Sequence, residues 1–164
     1  MRGYFFGHYY ISEKQHGIQG IHAMGRMVRE RAAKPKAMEA VDNWLNDHET
    51  VILLSVHDCD LLDAVHGALQ ELSRDWKGDG GMAELPVSIF HEPCLRNIPT
   101  SVFTVFPEEV YAYNARTPNA RVMKKALLDR VEALGFASYL DAAKSNTFTP
   151  VERAFLISYS FPLA

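Results

Sequence analysis

Polar side chains suited to acid–base chemistry or anion binding are concentrated in three short segments. Residues 12–22, 57–60 and 91–101 each follow or border a run of strand-like residues. Histidine titrates near neutral pH and serves as a general acid or base, while the planar fork of arginine matches phosphate groups. The side chains of interest in these segments are Lys14, His16, Gln19, His22, His57, His91, Glu92, Arg96 and Ser101.

Two of these histidines stand close to the two cysteines of the chain. His57 and Cys59 are two residues apart, and His91 and Cys94 are three apart. Four such ligands would suit tetrahedral zinc if the two segments met. However, neither pair has the usual zinc-motif spacing, and single cysteines are commonly small buried side chains. We expect no metal and no cofactor, and two cysteines are too few for a disulfide framework.

Several well-known catalytic motifs are missing from the sequence. The glycine-rich segment 78–81 is not followed by the Lys-Ser/Thr pair that completes a Walker phosphate loop. The first turn lacks the glycine triplet of a dinucleotide-binding fold, and no Gly-x-Ser-x-Gly nucleophile elbow occurs. A nucleotide triphosphatase, a dinucleotide enzyme and a serine hydrolase of the elbow type are therefore disfavoured.

Apolar runs of strand length border the three polar segments. The predicted strands are residues 4–11, 50–56, 85–90, 101–106 and 154–161. Because residues 50–56 are almost continuously apolar, that strand is expected to be buried on both faces. The carboxyl ends of parallel strands are where open α/β sheets bind ligands, which places the polar segments at a site.

Helical spacing of apolar residues predicts helices between these strands. After Ser12, a typical N-cap, the residues Ile18, Ile21 and Val28 are expected to pack the first helix on the sheet. Further helices are predicted around Trp44, after an Asp58 or Asp60 cap, over 123–134 and near 138–144. The resulting order β-α-α-β-α-β-β-α-α-β predicts an α/β fold, with a mixed, mostly parallel sheet flanked by helices.

The first helix carries glycines and a histidine that have two interpretations each. Gly17, Gly20 and Gly25 lie on or near one side, although glycine costs about 1 kcal/mol in a helix interior. Either a ligand or another backbone approaches them, or the helix packs tightly on the sheet. His22 lies one step from Ile21, so a hydrogen-bonded core histidine is favoured over a catalytic one.

Length, charge and hydropathy limit the class of protein. The chain has 164 residues, of which 48% are apolar, which suits a single domain with a substantial core. A net charge of -3 argues against an overall footprint for duplex DNA. No apolar run approaches the ~18 residues that a membrane span needs. We therefore expect a cytoplasmic protein with no membrane partner.

The order of several segments resembles a known enzyme family. Residues 17–23, GIQGIHA, are similar to the Ala-Ala-Gln-x-x-His-Ala segment of type-II peptidyl-tRNA hydrolases of archaea and eukaryotes. The helix with Trp44, the strand 50–56 and the strand that begins at Leu85 follow in the same order as in that family. The resemblance covers about residues 4–110. It implies a hydrolase-like core, residues 1–110, with a C-terminal extension, residues 111–164, in a single domain 1–164.

The family cleaves the ester between peptide and tRNA, and its site residues are only partly retained here. Position by position, the family's lysine falls on Gln15, next to Lys14. Its aspartate falls on Glu92, one threonine on Arg96, and another on or near Ser101. Glutamine cannot supply the charge with which lysine stabilises a developing oxyanion. The resemblance therefore implies the fold together with slow or absent hydrolysis.

The favoured interpretation is a binding protein for a nucleotide-like ligand or an RNA end such as that of tRNA. The aromatic first strand would be available for base stacking, and the helix start would favour an anion. The ligand-binding candidates are Lys14, His16, Gln19, Glu92, Arg96 and Ser101. The start of the chain also resembles small proteins of bacterial viruses. That implies a role in the host cytoplasm, either sequestering a defence nucleotide or blocking a host protein.

Two other interpretations remain open. One is an active peptidyl-tRNA hydrolase whose catalytic candidates are Lys14, His22 and Glu92. In that enzyme a basic strip would face the tRNA: Arg26, Arg29, Arg31, Lys34 and Lys36. The other is a protein-interaction module, and a homodimer is compatible with any of the three.

Overall fold

The computed structural model describes residues 1–10, 12–30, 32–77 and 82–164. Ile11 of the predicted first strand, Arg31 of the basic strip and the glycine-rich segment 78–81 lie outside the described residues. Seven helices and four strands are described, together with a short 3-10 turn after β3. In chain order they are β1 (Arg2–His8), α1 (Glu13–Arg29), α2 (Pro35–Asp47), β2 (Val51–Val56), α3 (Cys59–Asp75), β3 (Val87–Glu92), the 3-10 turn (Pro93–Leu95), β4 (Ile98–Phe106), α4 (Glu108–Ala112), α5 (Pro118–Ala133), α6 (Tyr139–Ala143) and α7 (Pro150–Tyr159).

The four strands form one mixed sheet in the order β2-β1-β4-β3. β1 pairs in parallel with β2, whereas the pairings of β1 with β4 and of β3 with β4 are antiparallel. An α/β fold with a mixed sheet flanked by helices is therefore confirmed, but the expectation of a mostly parallel sheet is wrong. Parallel strands need a crossover of a dozen or more residues. Residues 93–97 are too short for one, so β3 and β4 form a hairpin.

β2 lies at an edge of the sheet, so the expectation that residues 50–56 are buried on both faces is wrong. Val51 is exposed, and Ile52, Leu53 and Ser55 are only half-buried. The outer edge of β2 is paired instead with the end of the chain, where Ala164 N–H donates to the Leu53 carbonyl at 3.0 Å. An apolar run thus indicated a strand without indicating its place in the sheet.

α1 packs on the sheet through a different face from the one that its apolar spacing predicts. Ile18 and Ile21 are 52% and 61% exposed, so the predicted packing face, including Val28, is wrong. The buried face consists of His16, Gly20, Ala23 and Met27. The Phe5 ring from β1 fills the space where a Cβ at Gly20 would lie. Tight packing on the sheet therefore explains Gly20, whereas Gly17 and Gly25 have open space around them.

The last predicted strand, residues 154–161, is the helix α7. The run Ala154–Ile157 is apolar and fully buried, and periodicity alone cannot distinguish a buried strand from a buried helix. The informative residues stand just before it. Thr149 and Glu152 form a capping box, with Pro150 at the first helical position, an arrangement typical of a helix start.

Helices cover both faces of the sheet and share its core. α1 packs on one face, and α3 packs on the other with α7 behind it. Phe6 and Phe106 of the sheet and Phe155 of α7 belong to the same buried cluster. The predicted cap Ser12 is confirmed, and of the two candidates Asp58 and Asp60 it is Asp58 that caps α3. No helix in the described part of the chain is long and apolar enough to cross a membrane.

Candidate functional site

The three polar segments meet at one end of the sheet, here called the site end. Gly7 of β1 is flanked by Ser55 of β2 and by Ser101 of β4. Ser101 lies opposite Phe90 of β3. Because the polar segments directly follow or precede these four residues, they surround the same end of the sheet, as the sequence predicted.

A hydrogen-bonded network at the site end joins α1 to the β3–β4 hairpin. Gln19 Nε2 donates to Glu92 Oε2 at 3.0 Å, and Thr100 Oγ1 donates to Gln19 Oε1 at 2.9 Å. The hydrogen bond from Gln19, and a weaker one from the Cys94 backbone N–H, lower the pKa of Glu92. Glu92 is therefore a carboxylate at neutral pH, and the network holds it in one position.

Thr100 is the one member of this network that sequence reasoning missed. The register of the β3–β4 hairpin shifts between Phe90 and His91, so that Ser101 faces Phe90 while Pro99 faces His91. Thr100 is the extra residue of this bulge, and bulges re-aim side chains near sites. Pro99 was the available signal, because proline within a strand is confined to edges, strand starts and bulges.

His16 and Ser101 lie beneath the site end rather than on its rim. Both are buried, and the His16 ring fills the space beside Gly7 where a Cβ would lie. Burial lowers the pKa of His16, and a hydrogen bond with the Phe5 backbone offsets part of that effect. His16 is therefore neutral at pH 7. Neither His16 Nε2 nor Ser101 Oγ has a hydrogen-bond partner among the described residues.

Two exposed cations border the site end. Lys14 lies in the first turn of α1, and Arg96 lies in the turn between β3 and β4. Neither forms a salt bridge with a residue that the structure describes. Arg96 and the next residue, Asn97, both have positive φ angles, 58° and 61°. This conformation is uncommon for residues with a side chain, and Asn97 N–H donates to the Glu92 carbonyl at 3.0 Å.

His22 is exposed, so the expectation of a hydrogen-bonded core histidine is wrong. Its ring stacks on Phe90 with centroids 4.8 Å apart and an interplanar angle of 23°. The face of α1 that packs on the sheet consists of His16, Gly20, Ala23 and Met27, which leaves His22 exposed. Its positive form lies near enough to Glu92 to contribute to the lowered pKa of that carboxyl.

An exposed aromatic cluster stands beside the start of α1. Tyr9 and Tyr10 are 58% and 81% exposed. The Tyr9 ring lies 5.4 Å from His57 and 5.6 Å from Tyr10, which in turn lies 5.4 Å from His8. Of the aromatic side chains in the predicted strand 4–11, Tyr4, Phe5 and Phe6 are in the core and offer no ring for stacking. The two tyrosines that follow β1 supply the exposed rings instead.

The two histidine–cysteine pairs lie at opposite edges of the sheet. His57 and Cys59 follow β2, while His91 and Cys94 belong to β3 and the turn after it. β2 and β3 are separated by two strands, which at ~4.8 Å per strand places them about 14 Å apart. Within the described ranges no group of three or more metal-ligating side chains converges.

Two hollows of similar volume have different electrostatic character. A cavity of about 530 Å³ beside His57 is lined mainly by apolar side chains and carries the carboxylates Asp129 and Glu132, which do not suit a phosphate. A hollow of about 540 Å³ at the opposite end of the sheet, where α2 and β3 begin and α3 ends, is lined by two members of the basic strip, Lys34 and Lys36. A third member, Arg26, donates to the Ile89 carbonyl at 3.1 Å and so is already engaged.

Comparison with known proteins adds no family to this geometry. No protein-family model matches the sequence, and a search of curated proteins finds no significant relative. The fold class is therefore α/β, with a four-stranded mixed sheet flanked by helices.

Proposed function

We propose that this protein binds a nucleotide-like ligand or an RNA end at the site end of a fold like that of type-II peptidyl-tRNA hydrolases. The observation that carries the proposal is the exposed ring pair Tyr9 and Tyr10, placed directly before α1 and beside His57. Proteins bind single-stranded nucleic acid with aromatic side chains along a positively charged surface, and Lys14, four residues after Tyr10, is an exposed cation.

The tyrosines supply the affinity for bases. Stacking of a base on an aromatic side chain contributes about 1–3 kcal/mol and tolerates any base. Tyr9 and Tyr10 are held at 79° to one another, so they offer two separate faces. A ligand with one or two unstacked bases therefore fits this cluster better than duplex nucleic acid does.

The cations and the start of α1 supply the affinity for phosphate. Lys14 and Arg96 are exposed and unpaired within the described residues, and the positive end of a 17-residue helix points to the same region. A helix N-terminus favours anions, and the guanidinium fork of Arg96 matches phosphate oxygens. Glu92 is already held by Gln19, so it shapes this surface without neutralising Arg96 through a salt bridge.

Gln15, the residue aligned with the lysine of the hydrolase family, has a structural role. Ser12 N–H donates to Gln15 Oε1 at 3.3 Å, and Gln15 N–H donates to Ser12 Oγ at 3.3 Å. Gln15 thus completes the capping box of α1. This favours binding over efficient hydrolysis, because no charge is available from this position.

The proposal is tested with a fluorescently labelled RNA tetranucleotide ending in CCA and with AMP, by anisotropy and competition. We expect the Tyr9→Ala/Tyr10→Ala double variant to weaken binding by at least about fivefold, the lower end of one lost stacking interaction. The Tyr9→Phe/Tyr10→Phe variant keeps both rings and should bind like the wild type. Arg121→Ala removes an exposed arginine of α5 and serves as the charge control.

Three outcomes distinguish the interpretations. Equal binding by the Ala and wild-type proteins would contradict the proposed site. Hydrolysis of N-acetyl-aminoacyl-tRNA at the rate of an authentic peptidyl-tRNA hydrolase would show that the protein is an enzyme rather than a binding protein. Absence of binding to the tetranucleotide, to AMP and to cyclic nucleotides of the host-defence type would leave the protein-interaction interpretation.

A further inference from the structure

A separate cavity of about 500 Å³ lies at the other end of the sheet, where β1 and β2 begin. Arg2 and Tyr4 of β1 form one wall, and residues 50–52 at the start of β2 form another. Tyr111 and Arg116, from α4 and the segment after it, complete the side that faces solvent. Its lining extends along β2 as far as Leu54, but it includes none of the polar residues of the site end.

The charges that line this cavity are positive. Arg2 and Arg116 are both among its lining residues, and none of the lining residues that the structure describes is a carboxylate. Arg2 is fixed in place, because its Nη2 lies 2.9 Å from Glu108 Oε1 and its guanidinium lies 3.3 Å from the centre of the Tyr111 ring. Arg116 is exposed and forms no salt bridge with any residue in the described part of the chain. Arg116 is therefore the cation available to an anionic ligand.

Buried polar groups of the same wall lack partners. The Tyr4 side chain is only 2% exposed, and its hydroxyl has no hydrogen-bond partner among the described residues. The same is true of Arg2 Nε. Burial raises the pKa of Tyr4, so its hydroxyl is a neutral group able to donate at physiological pH. Buried polar groups in native proteins are nearly always satisfied, so two exceptions in one wall call for an explanation.

We propose that this cavity is a binding site for a small organic anion, with an aromatic or apolar body and one carboxylate or phosphate monoester group. The body would lie against the rings of Tyr4, Tyr111 and Tyr159, and the anionic group would bind Arg116. The volume lies within the 300–1,000 Å³ typical of small-molecule sites. This site is independent of the proposed function, because it shares no residue with the site end.

The test uses the full chain and the fluorescent aromatic sulfonate 8-anilinonaphthalene-1-sulfonate as the probe. We expect saturable binding of one probe per chain, and an increase in Kd of about tenfold or more in Arg116→Ala, the loss typical of a charge-assisted hydrogen bond. Arg121→Ala is the matched control and should bind like the wild type. The neutral analogue N-phenyl-1-naphthylamine should be insensitive to Arg116→Ala.

A second variant distinguishes this cavity from the apolar one beside His57. Asn114 is exposed and lines only the cavity proposed here, so Asn114→Trp should block the probe while leaving the fold intact. Retained binding in Asn114→Trp, or a wild-type Kd in Arg116→Ala, would overturn the proposal, as would the absence of saturable binding. Competition by benzoate and by phenyl phosphate, with benzyl alcohol as the neutral control, then shows which anionic group the site prefers.

Discussion

Replacing Arg96 with glycine should raise stability while weakening ligand binding. Arg96 has φ 58° and ψ 32° in the turn after β3, a left-handed conformation that costs a residue with a side chain about 1–2 kcal/mol. Glycine adopts it freely but loses about 0.5–1 kcal/mol more conformational entropy on folding. We therefore expect Arg96→Gly to raise the free energy of unfolding by up to about 1 kcal/mol, and Tm by roughly 2–4 °C.

The same substitution removes a cation from the proposed phosphate site. A hydrogen bond to a charged group contributes about 1.5–3 kcal/mol, which corresponds to an increase in Kd of about tenfold or more. Thermal unfolding followed by circular dichroism and anisotropy with the CCA-ending tetranucleotide measure the two effects on one preparation. Stability and affinity should therefore change in opposite directions.

Two control variants separate the backbone effect from the charge effect. Arg96→Ala keeps the left-handed strain and removes the charge, so it should lose affinity without a gain in Tm. Asn97→Gly relieves the neighbouring residue, φ 61°, and should keep full affinity, with a smaller gain in Tm because asparagine tolerates this conformation. A lower Tm for Arg96→Gly would refute the strain argument. Wild-type affinity in both Arg96 variants would remove Arg96 from the site.

Further predictions concern α1 and the groups around it. Ala23→Asp should lower the free energy of unfolding by several kcal/mol in urea denaturation, because it buries an unpaired carboxylate. Ile21→Asp, on the exposed face, should change that free energy by less than ~1 kcal/mol. Equal effects of the two variants would contradict the packing of α1. Because burial lowers the pKa of His16, the unfolded chain binds more protons below about pH 6.5, so stability should fall as the pH drops from 7 through this range. His16→Asn should flatten that fall, and an unchanged pH profile would mean that His16 is not the titrating group. Gln15→Lys should lose the hydrogen bond from Ser12 N–H to the side chain of residue 15, which lowers the free energy of unfolding by about 0.5–1 kcal/mol. A gain of peptidyl-tRNA hydrolysis in this variant would show that the geometry of the hydrolase site is retained.

Local chemistry made several parts of the fold predictable. Ser12 was predicted as a helix cap, and Asp58 as one of two candidates with Asp60, because such side chains satisfy the first free backbone N–H groups of a helix, which depends on neighbouring residues alone. Gly135, with φ 73°, ends α5 for a similarly local reason. The convergence of the polar segments was predictable as well, because it follows from the order of strands and helices.

Features that depend on tertiary packing were not predictable from one sequence. The orientation of α1 is set by the Phe5 ring, which requires a glycine above it, and this places Ile18 and Ile21 in solvent. The strand-like composition of α7 concealed a helix, because its continuously apolar run 154–157 is buried on all sides and so shows no alternation of apolar and polar faces. Thr100 reaches Gln19 of α1 only because a bulge shifts the register of β4. A shift of one residue moves a side chain to the other face of the sheet, and the pattern of apolar residues did not indicate that shift.

Residue 15 links the fold of the site end to its proposed function. The Gln15 side chain accepts a hydrogen bond from the backbone N–H of the N-cap Ser12. It is therefore held against its own helix and cannot also reach a substrate ester. The charge at this surface must then come from Lys14 and Arg96, which lie to either side of the Gln19–Glu92 pair. Neither cation is paired with an acid–base group among the described residues, and His16, the buried histidine, is covered by the sheet. Because residue 15 supplies no charge, we expect this surface, with its cations and stacking rings, to retain a nucleotide-like ligand rather than to cleave it efficiently.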